Sequence, residues 1–299
     1  MQTDENQMDN KLFGFPFQKK FREINGVNMA YIEEGEGDPI VFLHGNPTSS
    51  YIWRNILPHM QKLGRCIAPD LMGMGDSSKL LNSNSHTFAE NAKYVNELFE
   101  QLGINRNIIF VVHDWGAALA FDWASRHSEA VKGIVYMEAV MRLKTWSELP
   151  PPAEQFFKAI RSEKGEGMVL QQNALIEFNL SGSVLRQLSP EEMDQYRRPF
   201  KDAGEGRRPM LNWARQLPFE GEPVNIVKIV SDYNNWLAHS PISKLFIEAN
   251  PGTQSEKEKE FCNTLSNQTH VTVKGHHHLQ EDSPDEIGTA ISKWIQKLK

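Results

Sequence analysis

Only two cysteines occur among the 299 residues, Cys66 and Cys262. Two thiols so far apart form no disulfide framework and lack metal-ligand spacing, so no metal site is expected. Basic blocks are missing as well. The 32 Lys and Arg against 38 Asp and Glu leave a net charge of −6, which makes nucleic acid a poor partner. No apolar run approaches the ~18 residues of a membrane span. Residues 1–7, MQTDENQ, are polar and lead into no apolar stretch, which argues against a secretory signal. Free thiols without an export signal fit a reducing, cytoplasmic setting. What is present is ordinary: 39% hydrophobic and 23% charged residues, enough chain for one large α/β domain with an insertion.

Residues 1–20 read as a loosely docked lead-in. Asn25-Gly26 between Phe21–Ile24 and Val27–Ile32 is the strongest short hairpin signal. Pro39–Leu43 and Arg65–Ala68 are short apolar strands, and the segment between them carries helical spacing from Ser49 to Met60. Thr87 and Glu90 predict a capping box for a helix that Gly103 closes. Ile108–His113 and Val131–Met137 read as buried strands with a helix between them, implying right-handed crossovers and a mostly parallel sheet. The rhythm then breaks. From Val140 to Trp213 only helical segments are expected, around Glu154–Glu163, Met168–Phe178 and the capping box at Ser189-Pro190-Glu191-Glu192. Strands resume at Lys244–Glu248 and His270–Val273, and Ser283-Pro284 opens a last helix. The expected organisation is a core of 1–139 and 214–299, with a helical cap of 140–213 inserted after the sixth strand.

The densest apolar run ends in His113-Asp114-Trp115-Gly116 and passes into Ala117-Ala118-Leu119-Ala120. That is a strand, a sharp turn and a tightly packed helix, the setting in which a G-x-S-x-G elbow presents its serine. Here Asp114 stands at the serine position. A carboxylate with a reference pKa of about 3.9 is ionised at neutral pH and can attack carbon without a base to activate it. An aspartate that merely caps the helix is the plainer reading; the Trp115-Gly116 context favours the nucleophile. Ligands of open α/β sheets bind beyond the strand carboxyl ends, which draws attention to His44-Gly45-Asn46, Glu138, Glu248 and the cluster His276-His277-His278. Either glutamate could orient an imidazole, and spacing does not choose among the three histidines. His44 reads as a packed histidine, Gly73–Ser78 as a turn, and Glu256–Glu260 as a solvated helix face.

Taken together, His44–Tyr51, Pro69–Ser77, His113–Gly116, Tyr136–Ala139, Arg207-Arg208-Pro209 and Gln280–Gly288 resemble the haloalkane dehalogenases of the α/β-hydrolase fold. The likeness runs from about Phe21 to the end. It implies Asp114 as nucleophile, Glu138 rather than Glu248 as the acid, and His277 as the base. It further implies Asn46 and Trp115 as halide donors through their side chains and as the oxyanion hole through their backbone N–H groups. A haloalkane substrate, a halide product and no cofactor go with it. Two positions depart from the family pattern: Trp213-Ala214-Arg215 has alanine where proline is common, and His278 replaces an aromatic residue. Phe156, Phe157, Ile160, Leu175, Ile176, Phe178 and Ala214 are expected to line an apolar pocket and tunnel. Rival readings are an epoxide hydrolase, which would need lid tyrosines where chiefly Tyr196 is offered, and a coelenterazine luciferase-like oxygenase, which shares the triad. A non-catalytic receptor would predict a broken constellation.

Overall fold

A strand covered on both faces needs no polar alternation, and β5 (Ile108–His113) is buried at every position. In the computed structural model, which describes residues 14–298, β5 lies inside an eight-stranded sheet. The strands are β1 (Lys19–Ile24), β2 (Val27–Glu34), β3 (Pro39–Leu43), β4 (Arg65–Pro69), β6 (Val131–Met137), β7 (Ser243–Pro251) and β8 (Gln268–Gly275), in the order β1-β2-β4-β3-β5-β6-β7-β8. Only the β1–β2 and β2–β4 pairs are antiparallel. The fold is therefore the mostly parallel α/β-hydrolase sheet that was expected. Most of the proposed lead-in, including residues 1–7, lies outside the described residues.

Register is what matters for function. Leu43 pairs with Val112 and His113 with Met137, so β3, β5 and β6 end level. Pro251 pairs with Gly275, so the loops after β7 and β8 emerge side by side. The first hairpin turns at Asn25 and Gly26, both with positive φ, as a two-residue turn of this composition should.

Helices cover both faces. α1 (Phe88–Leu102) starts on Thr87, whose hydroxyl accepts from the Glu90 N–H at 3.2 Å, and stops at Gly103 with φ +68. Glu90 turns outward to Lys93, so half of the expected box is made. α2 (Asp114–Arg126) follows β5 directly. Ser49–Met60 is two 3₁₀ turns, Ser50–Trp53 and Leu57–His59, because Pro58 has no N–H to carry a longer helix.

Between β6 and β7 the chain is helical. α3 (Pro151–Arg161) leads to two π-helical turns, Glu166–Gln171 and Leu175–Leu180, separated by Asn173 at φ +56. α4 (Pro190–Arg197) opens on the full Ser189/Glu192 capping box, and α5 (Arg208–Arg215) and α6 (Val224–His239) complete the run. The sequence reading had not marked α6. α7 (Glu256–Thr264), α8 (Leu279–Asp282) and α9 (Pro284–Ile295) close the fold.

Two expectations need correction. The run Glu256–Glu260 is not wholly solvated: Glu258 is fully buried and pairs with Lys144 at 2.8 Å. Ser283-Pro284 does open α9, but the Ser283 hydroxyl makes no cap bond and donates instead to the Lys274 carbonyl at 2.6 Å. Cys66 and Cys262 are both buried and free, and burial pushes each thiol up to about 12, which keeps them inert. Among the described residues no helix is long and apolar enough to cross a membrane, and no cluster of His, Cys, Asp and Glu could hold a metal ion.

Candidate active site

Three strand ends converge on one point. Asp114 takes φ +52 at the β5–α2 turn, a conformation that costs a non-glycine residue energy and survives only where the surroundings impose it. The surroundings are tight: a Cβ on Gly116 would meet the backbone carbonyls of Leu43 and His44, and one on Gly45 would meet the Asp114 carboxylate. Glycine at both positions is what lets the β3 loop lie against the turn.

The two oxygens of Asp114 have different company. Oδ1 accepts from the Asn46 backbone N–H at 2.8 Å, and the Trp115 backbone N–H also donates to the carboxylate. Oδ2 lies 3.6 Å from His277 Nε2. His277 comes from the loop after β8, and its Nδ1 donates to Glu138 Oε2 at 3.1 Å. Glu138, at φ +42 beyond β6, is 3% exposed. An imidazole is thus suspended between two carboxylates.

Their charges shape one another. Burial favours neutral forms for all three, yet the pairing outweighs it. His277 is raised to about 9 by Asp114 and Glu138 against desolvation. Glu138 falls to about 2, its desolvation overcome by hydrogen bonds from His277 and Thr253. Asp114 is lowered, again against desolvation, mainly by His277. The resting site therefore holds an imidazolium flanked by two anions.

The rival candidates are placed elsewhere. Glu248 is engaged with His270 at 2.7 Å and Lys259 at 3.3 Å, a structural ion pair. His44 is fully buried, with Nε2 accepting from the Leu71 N–H at 2.9 Å. The His276 N–H donates to Asp282. His278 is 1% exposed and faces Ser183, with Nδ1 2.8 Å from its hydroxyl.

Above the three groups opens a cavity of about 440 Å³, reached by Asn46, Asp114, Trp115 and His277 at its floor and by Phe156, Phe157, Leu175 and Phe178 on its sides. Three of the expected lining residues, Ile160, Ile176 and Ala214, do not reach it. Ile160 and Ala214 are fully or almost fully buried and lie where α3 packs on α5. The side-chain amide of Asn46 spends one N–H on the Met210 carbonyl at 3.1 Å, leaving its second for the cavity. Two contributors escaped the sequence reading. Thr253 donates to Glu138 from its backbone N–H and its hydroxyl. His113, whose Nε2–H reaches the His277 carbonyl at 2.8 Å, could have been suspected from its place beside Asp114.

Comparison with known proteins gives the family. A family model described as the alpha/beta hydrolase fold matches residues 38–284. A haloalkane dehalogenase from Sphingobium indicum is 53% identical over 95% of this chain and 97% of its own. The solved haloalkane dehalogenase DbeA from Bradyrhizobium elkani superposes with a TM-score of 0.90 at 40% identity, over 94% of this chain and 98% of that one. The coelenterazine h 2-monooxygenase of Renilla reniformis is 41% identical over 91% of this chain and 88% of its own.

Proposed function

This chain belongs to the haloalkane dehalogenases of the α/β-hydrolase fold, and we propose that Asp114, Glu138 and His277 carry out its hydrolysis of carbon–halogen bonds in two steps. The observation that supports this most is the unequal setting of the two Asp114 oxygens. Oδ1 accepts the Asn46 backbone N–H, and Oδ2 lies beside the imidazole.

In the first step Oδ2 attacks the halogen-bearing carbon. A C–O bond forms as the C–halogen bond breaks, and the halide leaves with the electron pair. The Trp115 indole N–H and the second Asn46 amide N–H receive it, neutral donors aimed at a growing charge where water is scarce. Alkylation removes the negative charge of Asp114, one of the two that hold the His277 proton. The imidazolium then loses that proton more readily and becomes a base. In the second step His277 Nε2 takes a proton from water, whose oxygen attacks Asp114 Cγ. Charge collects on Oδ1, against the backbone N–H groups of Asn46 and Trp115. Collapse breaks the Cγ–Oδ2 bond, the hydroxyl gained from water passes its proton to the departing alkoxide, and alcohol and carboxylate result. Neither step moves electrons to an acceptor, so the chemistry calls for no cofactor.

Residues 140–213 serve in this reading as the cap over a core of 1–139 and 214–299, with Phe157 and Leu175 as apolar walls for the alkyl chain. The substrates are small halogenated alkanes. The test is halide release from 1-bromobutane by the purified protein and by Asp114→Ala, with coelenterazine luminescence and epoxide turnover measured beside it. Release by the wild type, and at least a 10³-fold loss in the variant, is expected for removal of a covalent nucleophile. Wild-type release at the background rate, with light emission or diol formation instead, overturns the reading.

A further inference from the structure

Among the described residues, Thr253 has a side chain within hydrogen-bond distance of both members of the acid–imidazole pair. Its hydroxyl donates to Glu138 Oε2 and lies 3.2 Å from His277 Nδ1. Its backbone N–H donates to Glu138 Oε1 at 3.0 Å and stands 3.2 Å from Oε2. The loop that brings it there is built for close approach. Gly252 has φ +64, and a Cβ on it would sit 2.7 Å from Glu138 Oε1 and 2.6 Å from the Ala249 carbonyl. The Gly252 N–H donates across to the Gly275 carbonyl at 3.0 Å, tying the loop after β7 to the end of β8, just before His277. Glu138 is thereby held by the loop after β7 as well as by β6.

We propose that Thr253 is a positioning residue for the second step: it fixes the Glu138 carboxylate and draws off part of its charge, so that His277 gives up its proton in time to act as a base. The argument is one of competition. A carboxylate oxygen that already accepts a hydroxyl hydrogen pulls less on the imidazolium N–H beside it. Without the hydroxyl, Glu138 would address His277 alone and hold its proton more firmly. The other groups facing His277 are Asp114 across the cavity, His113 beneath it and the neighbouring His276 and His278. His113 is lowered to about 4 and His278 well below the usual range, both by burial first, so these two are neutral when His277 titrates. Asp114 is neutral once alkylated. In the ester, Glu138 is the anion left against His277, and Thr253 is the group that tempers it.

The inference rests on the two-step reading above, and its test separates the two. Thr253→Val keeps the shape and the backbone N–H but lacks the hydroxyl; Thr253→Ser restores the hydroxyl. Single-turnover reactions with 1-bromobutane would be followed by halide release for the first step and by intact-protein mass for the alkyl adduct. In Thr253→Val the adduct should form at the wild-type rate and decay about tenfold more slowly, as expected for loss of a hydrogen bond to a charged group. The acidic limb of its decay–pH profile should move upward by about half a unit or more, and Thr253→Ser should return both to within about twofold. Equal adduct decay and pH limb in wild type and Thr253→Val overturn the role of Thr253 and leave the two-step reading standing. No adduct in any protein, His277→Phe included, overturns the two-step reading itself. Should Thr253→Val not fold, Thr253→Ala, which introduces no new bulk, carries the same expectations and the same overturning result.

Discussion

His277 separates the two halves of the proposed reaction, because only the second needs it as a base. His277→Phe should form the alkyl–Asp114 ester with its first halide release intact and then stall. Turnover would fall by roughly 10²–10⁴-fold, and intact-protein mass would report a persistent adduct. An unmodified protein after exposure to 1-bromobutane would place the base elsewhere. The same residue sets a pH signature. Asp114 lies below its ordinary value, so alkylation should be flat from about pH 5 upward. Ester hydrolysis should rise with pH as the imidazolium, raised to about 9 in the resting site, loses its proton. Its midpoint should fall below 9, since alkylation removes an anion. A raised His277 and a lowered Glu138 also carry stability of opposite sense. The histidine contribution is complete below about pH 6.5 and lost as the pH climbs through 9; the glutamate contribution is complete above about 4.5 and lost as the pH falls through 2.

Among the elements, the joint between β5 and α2 is the least forgiving. Gly116 faces the carbonyls of Leu43 and His44 too closely for any side chain, so Gly116→Ala must push α2 away from β3. A loss of at least ~2 kcal/mol is expected, from overpacking against rigid backbone, together with near-complete loss of turnover because Asp114 moves with the helix. A melting temperature and halide release equal to the wild type would refute that. This joint was legible in the sequence, since an unbroken apolar strand followed by Asp-Trp-Gly leaves few alternatives. The dipeptide Asn25-Gly26 and the Ser189 box were legible for the same reason: each acts within four residues. What escaped depends on partners far along the chain. Thr253 meets Glu138 across 115 residues, and no local pattern encodes that. Ile160 and Ala214 carry apolar stripes that the sequence cannot assign to a cavity or to each other. Pattern also does not distinguish the π-helical turns around Asn173 from ordinary helix, because both bury residues at similar spacing.

Over the whole molecule, the helical region between β6 and β7 is fastened to the core by charge. Glu281, 3% exposed, accepts from Arg54 at 2.6 and 2.8 Å, from Arg186 at 2.6 Å and from the Tyr196 hydroxyl. Glu192 from α4 also reaches both arginines. Breaking a buried pair strands the remaining charge. Glu281→Gln should therefore cost about 3 kcal/mol and lower Tm by roughly 6–12 °C; a Tm within about one degree of the wild type would show that the network contributes little. Arg186 above all, with further help from the Ser189 N–H and Arg54, holds Glu192 down at about 2. Its share of the fastening is complete above about pH 4.5 and disappears only as the pH falls through 2. The groups that gather at the candidate site hang from the carboxyl ends of β3, β5, β6, β7 and β8. At the other pole Leu298 and Trp294 pack against Gly133 near the start of β6, with the full depth of the sheet between them and the cavity. The last turn of α9 therefore offers a natural handle: a molecule held to a solid support there would keep its cavity turned away from the surface.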